Sequence, residues 1–152
     1  MGRNIAAVVC GFVAWWVVAT LLNWLMRMGW PGYAEVEKAM DFTLAMMAGR
    51  LVVGALSSLG AGAVLGSIAR RAGRVAVVGG LVLTAFFVVV HYYLWDKFPV
   101  WYHAVFLVSL LPLVVTGARL TTRQSAGGSP AWRVKSSVAS AAAMTADRRG
   151  CS

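Results

Sequence analysis

Four long apolar runs, each long enough to cross a membrane as a helix, constrain this chain more than any other feature of its sequence. They cover about residues 5–26, 43–69, 75–95 and 100–118. A hydrocarbon core of about 30 Å needs about 20 helical residues. Apolar residues make up 60% of the chain and charged residues 12%, whereas soluble domains carry about 45–50% and about 25%. The sequence therefore predicts an all-α membrane protein, a four-transmembrane-helix bundle over residues 1–119.

Basic residues are divided unequally between the two ends of this bundle. The end that carries both termini has eight of them near the predicted helices: Arg3, Arg70, Arg71, Arg74, Arg119, Arg123, Arg133 and Lys135. The other end has three: Arg27, Lys38 and Lys97. Because cytoplasmic loops are enriched in Lys and Arg, we expect both termini in the cytoplasm. The same bias accounts for the net charge of +9, so no nucleic-acid partner is predicted; the expected partners are the lipid bilayer and, as an alternative, another membrane protein or a second copy.

Aromatic residues gather at the end of the bundle opposite the termini. They include Trp24, Trp30, Tyr33, Tyr92, Tyr93, Trp95, Trp101 and Tyr102. Amphipathic rings are enriched where lipid meets water, so we expect this set at the outer interface. The loop from Arg27 to Asp41 opens with the turn Gly29-Trp30-Pro31-Gly32 and continues into a short predicted helix. Its Tyr33, Val36 and Met40 share one face, which is expected on the lipid headgroups, with a lid over a site as the alternative.

After the fourth run the composition changes. Residues 120–152 are rich in Ser, Ala, Gly, Thr and Arg, and large apolar side chains are sparse. Such a segment does not bury enough apolar surface to offset the entropy of ordering. We expect a basic, mobile and disordered cytoplasmic tail.

A stripe of small residues marks the second run. Gly54, Ser58, Gly62 and Gly66 recur every four residues, so they share one face of a helix. Small residues let membrane helices approach until their backbones touch. The stripe predicts tight helix packing, within the bundle or between two copies.

Four polar residues form a predicted ring near the outer end of the bundle, one from each run: Asn23, Arg50, His91 and His103. Asn23, His91 and His103 each lie four or five residues inside the outer end of their runs, roughly 6–8 Å deep at 1.5 Å per residue. Ionisable groups inside a membrane segment are costly and normally face the bundle interior. The ring is therefore a candidate site for a small polar or anionic ligand.

Other interpretations of the ring remain open. Arg50 can extend to the headgroups with its stem buried, and both histidines have aromatic neighbours and could be interface residues like them. Proton or ion transfer through the histidines and haem ligation by His91 and His103 are further alternatives. No nucleophile–base pair and no metal-ligand cluster is visible in the sequence, so no catalytic residue, metal or cofactor is predicted.

Several segments of the chain also carry a resemblance. They are Phe42 to Met47 with Arg50-Leu51, Gly54 to Leu59, Trp95 to His103, Pro112, and Gly117 to Leu120. In these the chain resembles a group of small bacterial inner-membrane proteins with no assigned activity, over roughly residues 15–120. The resemblance implies a four-helix protein of the bacterial cytoplasmic membrane and transfers no functional residue.

The sequence thus favours a small, non-catalytic membrane protein with a structural or accessory role, or a partner of a larger complex. The alternative is outward-facing binding or transport of a small polar or anionic ligand through the ring.

Overall fold

The computed structural model describes residues 2–69 and 71–127 and consists of helices. The helices are α1 (Gly2–Gly29), α2 (Tyr33–Ala39), α3 (Leu44–Ile68), α4 (Ala72–Tyr93) and α5 (Val100–Gly127). A single 3-10 turn, Trp95–Lys97, joins α4 to α5, and no strand occurs in the described ranges. Four of the helices are long and apolar enough to cross a membrane. The predicted all-α membrane fold with four spans is confirmed, and the chain is a multi-pass membrane protein.

The helix bounds differ most from the predicted ones at the ends of α1 and α5. No Gly or Pro interrupts the chain between Arg119 and Gly127, so α5 runs on to Gly127. Residues 120–127 of the predicted tail are therefore helical. The rest of that prediction, residues 128–152, lies outside the described residues. The chain divides into one unit over Met1–Thr122 and a second over Arg123–Ser152, of which the structure describes the end of α5.

The core of the bundle draws on all four long helices. Its larger cluster has Trp15 of α1, Ala61 of α3, Phe87 of α4 and Val114 of α5 among its members. A second cluster, nearer the chain termini, is built around Leu65. Outward-facing positions of α1 such as Val9 and Leu21 are exposed, as expected for side chains that lipid covers.

The small-residue stripe of α3 faces two neighbouring helices. A Cβ atom at Gly62 would overlap the backbone carbonyl of Val114, and one at Gly66 would lie 2.7 Å from the Ala118 oxygen. Ser58 instead accepts a 3.1 Å hydrogen bond from the Trp15 indole of α1 and donates to the Gly54 carbonyl. The stripe therefore lies where α3 meets α5, while its serine bonds α3 to α1.

The short helix α2 lies against the bundle. Gly32 adopts a left-handed φ of 77° in the turn before it, a conformation that glycine adopts without strain. Tyr33 is completely buried. The expectation that this residue rests on lipid headgroups is wrong, because its hydroxyl is hydrogen-bonded to side chains of α1 and α3.

Candidate functional site

Five side chains from α1, α2 and α3 form a hydrogen-bonded cluster, here called the α2 polar network: Asn23, Arg27, Tyr33, Glu37 and Arg50. The Asn23 amide nitrogen donates to Glu37 at 3.0 Å, and its oxygen accepts from the Tyr33 hydroxyl at 3.1 Å. Arg50 Nη1 donates to the same hydroxyl at 3.0 Å. Every polar atom of the Asn23 amide group is thus engaged, and α2 is bonded to both long helices beneath it.

Charge in the α2 polar network is unbalanced. Arg27 Nε donates to Glu37 Oε2 at 2.6 Å, and Arg50 Nη1 lies 3.9 Å from Oε1. Burial opposes ionisation of Glu37, but the hydrogen bonds from Arg27 and Asn23 and the two positive charges outweigh it, and the pKa of this carboxyl is lowered. With two arginines and one carboxylate, the network carries one surplus positive charge.

Acidification should weaken the contact of α2 with the bundle, because it protonates Glu37. Because the folded pKa lies below the unfolded one, the contribution of Glu37 to stability is present above about pH 4.3, the ordinary glutamate value. It is lost as the pH falls through the folded pKa. We expect Glu37→Gln to lower the apparent melting temperature in detergent at pH 6, at a cost of about 0.5–1 kcal/mol, and the gap to the wild type to narrow below pH 4.

Glu35→Gln is the matched control, since Glu35 lies on the same helix and is exposed. It should leave the melting temperature unchanged at both pH values. A gap between wild type and Glu37→Gln that stayed constant from pH 6 to pH 3 would contradict this role for Glu37.

Two histidines from α4 and α5 form a second polar group, here called the histidine pair. Nδ1 of His91 lies 2.6 Å from Nδ1 of His103, and Nε2 of His103 lies 3.2 Å from the Phe98 carbonyl oxygen. Both rings are buried, with exposed fractions of 6% and 2%. Aromatic rings enclose them: Tyr102 stacks on His91, and Trp95 on His103.

A cavity of about 270 Å³ adjoins both polar groups, and α1, α3, α4 and α5 all contribute to its lining. Large aromatic side chains form a substantial part of its walls: Trp15, Trp16, Phe87, Phe98, Tyr102 and Phe106. Arg50 is the one formally charged residue among the described lining residues, and its Nε is buried without a hydrogen-bond partner. Of the lining residues, Trp16 and Thr20 are exposed, so the cavity opens along α1.

The structure brings three of the four ring residues to this one cavity. Asn23, Arg50 and His91 line it, whereas His103 is not a lining residue and is hydrogen-bonded to His91. Both histidines are buried among the helices and are not exposed on the surface of the bundle. Haem ligation by the pair does not fit, since the two Nδ1 atoms face each other at hydrogen-bond distance. Among the described residues, no group of three or more His, Cys, Asp or Glu is placed to hold a metal ion.

The site includes residues that the sequence did not predict, among them Tyr33, Glu37 and Tyr102. Tyr33 and Glu37 are four residues apart on α2, so they share a helix face, and that spacing was a signal for a polar contact. Tyr102 was assigned to the interface, yet it is 5% exposed and its hydroxyl interacts with Arg50. No feature of the local sequence distinguishes it from Trp101, which is exposed.

Comparison of the chain with protein-family models, with curated proteins and with solved structures gave no match.

Proposed function

We propose that this protein binds a small organic anion, with an apolar body and one carboxylate-like group, in the cavity between its four long helices. It does so in the bacterial cytoplasmic membrane, with both termini in the cytoplasm and the cavity near the outer face. The role is one of binding, on its own or as a step of transport, and not of catalysis.

The half-buried guanidinium of Arg50, which lines the cavity, is the observation that carries this proposal. A buried donor without a partner costs about 1–3 kcal/mol, and more when the group is charged. Arg50 Nε is such a donor, and the residue lines the cavity. The α2 polar network already has one surplus positive charge, and no carboxylate is among the described lining residues. An anionic group in the cavity beside the Arg50 guanidinium would balance this charge.

The rest of the cavity favours an apolar ligand body. Ligand sites are mostly apolar and usually about 300–1,000 Å³ in volume, so a cavity of about 270 Å³ suits a small molecule. Aromatic contacts between its walls, such as the tilted pair of Trp15 and Phe87 with ring centroids 4.4 Å apart, give flat apolar surfaces. The opening at Trp16 and Thr20 lies along a lipid-covered face of α1, which supports entry of the ligand from the bilayer.

Membrane location and orientation are supported by charge. Basic residues number eight at the end with both termini and three at the end with the cavity, the bias expected when the termini are cytoplasmic.

An accessory role in a larger membrane complex is the second candidate. The observation that favours it is the exposed apolar row Val9, Val13, Val17 and Leu21 on α1, a face that a partner helix could cover in place of lipid.

Benzoate is a suitable test ligand, because it combines one carboxylate with a flat apolar ring. We expect the purified protein in detergent to bind benzoate saturably at pH 6, as measured by calorimetry, and to bind the uncharged benzamide much more weakly. Arg50→Met should lower the affinity for benzoate by about tenfold to a hundredfold, since hydrogen bonds to charged groups contribute about 1.5–3 kcal/mol.

Lys97→Met is the matched control. It removes the same charge from an exposed position at the same end of the bundle, and it should keep the wild-type affinity. Equal binding of benzoate by Arg50→Met and wild type, or equal binding of benzamide and benzoate, would contradict the proposed function.

A further inference from the structure

The histidine pair presents one ring nitrogen to the cavity. Nδ1 of His91 is engaged with His103, while His91 lines the cavity. Nε2 of His91 has no hydrogen bond to a described residue, and it is not among the fully buried atoms without a partner. Nε2 is therefore the polar atom of this ring that a bound ligand meets.

The hydrogen bonds of the neutral pair fix which atoms carry protons. A carbonyl oxygen only accepts, so His103 Nε2 must donate to Phe98. A neutral imidazole has one N–H, and Nδ1 of His103 is therefore an acceptor. His91 Nδ1 must then donate to it, which leaves His91 Nε2 without a hydrogen. In the neutral pair the cavity is faced by a hydrogen-bond acceptor.

One added proton turns His91 Nε2 from an acceptor into a donor, whichever of the two histidines becomes the cation. If His91 becomes the cation, both of its nitrogens carry hydrogen, including Nε2. If His103 becomes the cation, its Nδ1 donates to His91 Nδ1, and the neutral His91 must carry its own hydrogen on Nε2. A second proton would place two N–H groups against each other across the 2.6 Å contact. The histidine pair can therefore take up one proton without losing the hydrogen bond between its two rings. That proton makes His91 Nε2 a donor.

The surroundings of the pair contain few charges. On α5, the Tyr102 ring stacks on His91 and its hydroxyl interacts with Arg50 of α3. Phe106 stacks on His91 from the same helix, and Trp95 and Phe98 contact His103 from the α4–α5 connection. Arg50 in turn contacts Tyr33 and Glu37 of α2, and α1 contributes the uncharged Asn23 to the lining. No described carboxylate forms an ion pair with either histidine, since Glu37 pairs with Arg27 and Arg50.

We propose that the cavity takes up a weak organic acid as its anion together with one proton, the proton joining the anion to His91 Nε2. This rests on the proposed function. A carboxylate oxygen and an unprotonated Nε2 are both acceptors, and they do not bond to each other without a hydrogen between them. A hydronium ion or buffer acid in the solvent supplies the proton: its bond to that hydrogen breaks as an N–H or O–H bond forms in the contact, and no other bond is made or broken. Anion and proton therefore favour each other's binding, and this coupling is reciprocal.

The test measures benzoate binding by the full chain in detergent from pH 5.5 to pH 8, where benzoate is itself an anion in solution. We expect the dissociation constant to rise with pH by up to about tenfold per unit, the limit for uptake of one proton. Calorimetry in buffers of different ionisation enthalpy counts the protons directly and should give a value approaching one proton per benzoate at the upper end of this range.

His91→Gln keeps a donor and an acceptor at this position but removes the ring nitrogen that changes its proton against the ligand, so its affinity should change with pH much less than that of the wild type. Tyr93→Phe alters an exposed ring two residues away and should keep the wild-type pH profile. A wild-type affinity that is constant with pH, with no proton uptake, would overturn this inference and leave the proposed function standing, as would His91→Gln with the wild-type slope. Absence of benzoate binding at every pH would overturn both.

Discussion

Gly62→Ala is expected to destabilise the bundle strongly although it adds a single methyl group. The new Cβ would overlap the carbonyl of Val114, which is backbone and does not rotate away. The reciprocal contact is equally close, because a Cβ at Gly117 would overlap the Leu59 carbonyl. To accommodate the methyl group, α3 and α5 must separate along their whole contact. Overpacking of this kind costs about 1–3 kcal/mol, more than the roughly 1 kcal/mol that alanine gains over glycine in a helix.

Gly60→Ala on the same helix provides the matched control. Its Cβ would meet only the Val18 side chain, at an ordinary 3.5 Å. Helix propensity then acts alone, and the apparent melting temperature in detergent should stay the same or rise. Two variants with identical chemistry, two residues apart, should therefore differ in melting temperature, with only Gly62→Ala below the wild type. Equal shifts would mean that α3 and α5 do not touch at Gly62.

The features that could be predicted from the sequence are those that follow from the length of an apolar run or from the spacing of residues along a helix. The bilayer thickness fixes the length of a spanning helix, so the four runs located α1, α3, α4 and α5. The spacing of four residues placed Gly54, Gly62 and Gly66 on one face. The same periodicity places His91 on the helix face of Gly80 and Thr84, and the structure buries His91 while its neighbours Tyr92 and Tyr93 are exposed.

Features that depend on the approach of two distant elements could not be predicted in the same way. Tyr33 and Trp30 are both aromatic residues of one loop, and only the angle at which α2 meets the bundle decides that Tyr33 is buried. Equal depth suggested that His91 and His103 are close. Their shared hydrogen bond, however, depends on the rotation of α4 and α5 about their own axes, which the 3-10 turn between them sets.

The orientation of the chain should give an all-or-none labelling result. In a chain without its own cysteines (Cys10→Ala, Cys151→Ala), single cysteines are placed at Lys97 and at Gly73. Lys97 is exposed next to the cavity, and Gly73 is exposed at the opposite end, with no neighbouring atom within 4 Å of a Cβ. With eight basic residues against three, we expect a membrane-impermeant maleimide to label Lys97→Cys in intact cells and Gly73→Cys only after the cells are opened.

Opened cells serve as the control, since both cysteines must then react to a similar extent. Labelling of Gly73→Cys alone in intact cells would invert the bundle and place the cavity at the cytoplasmic face. The roles of Arg50 and His91 in binding would be unaffected, because they depend on contacts within the bundle. The direction of proton coupling would change, however. A site open to the outside would draw its anion and its proton from the external medium, whereas an inverted site would release or capture both in the cytoplasm.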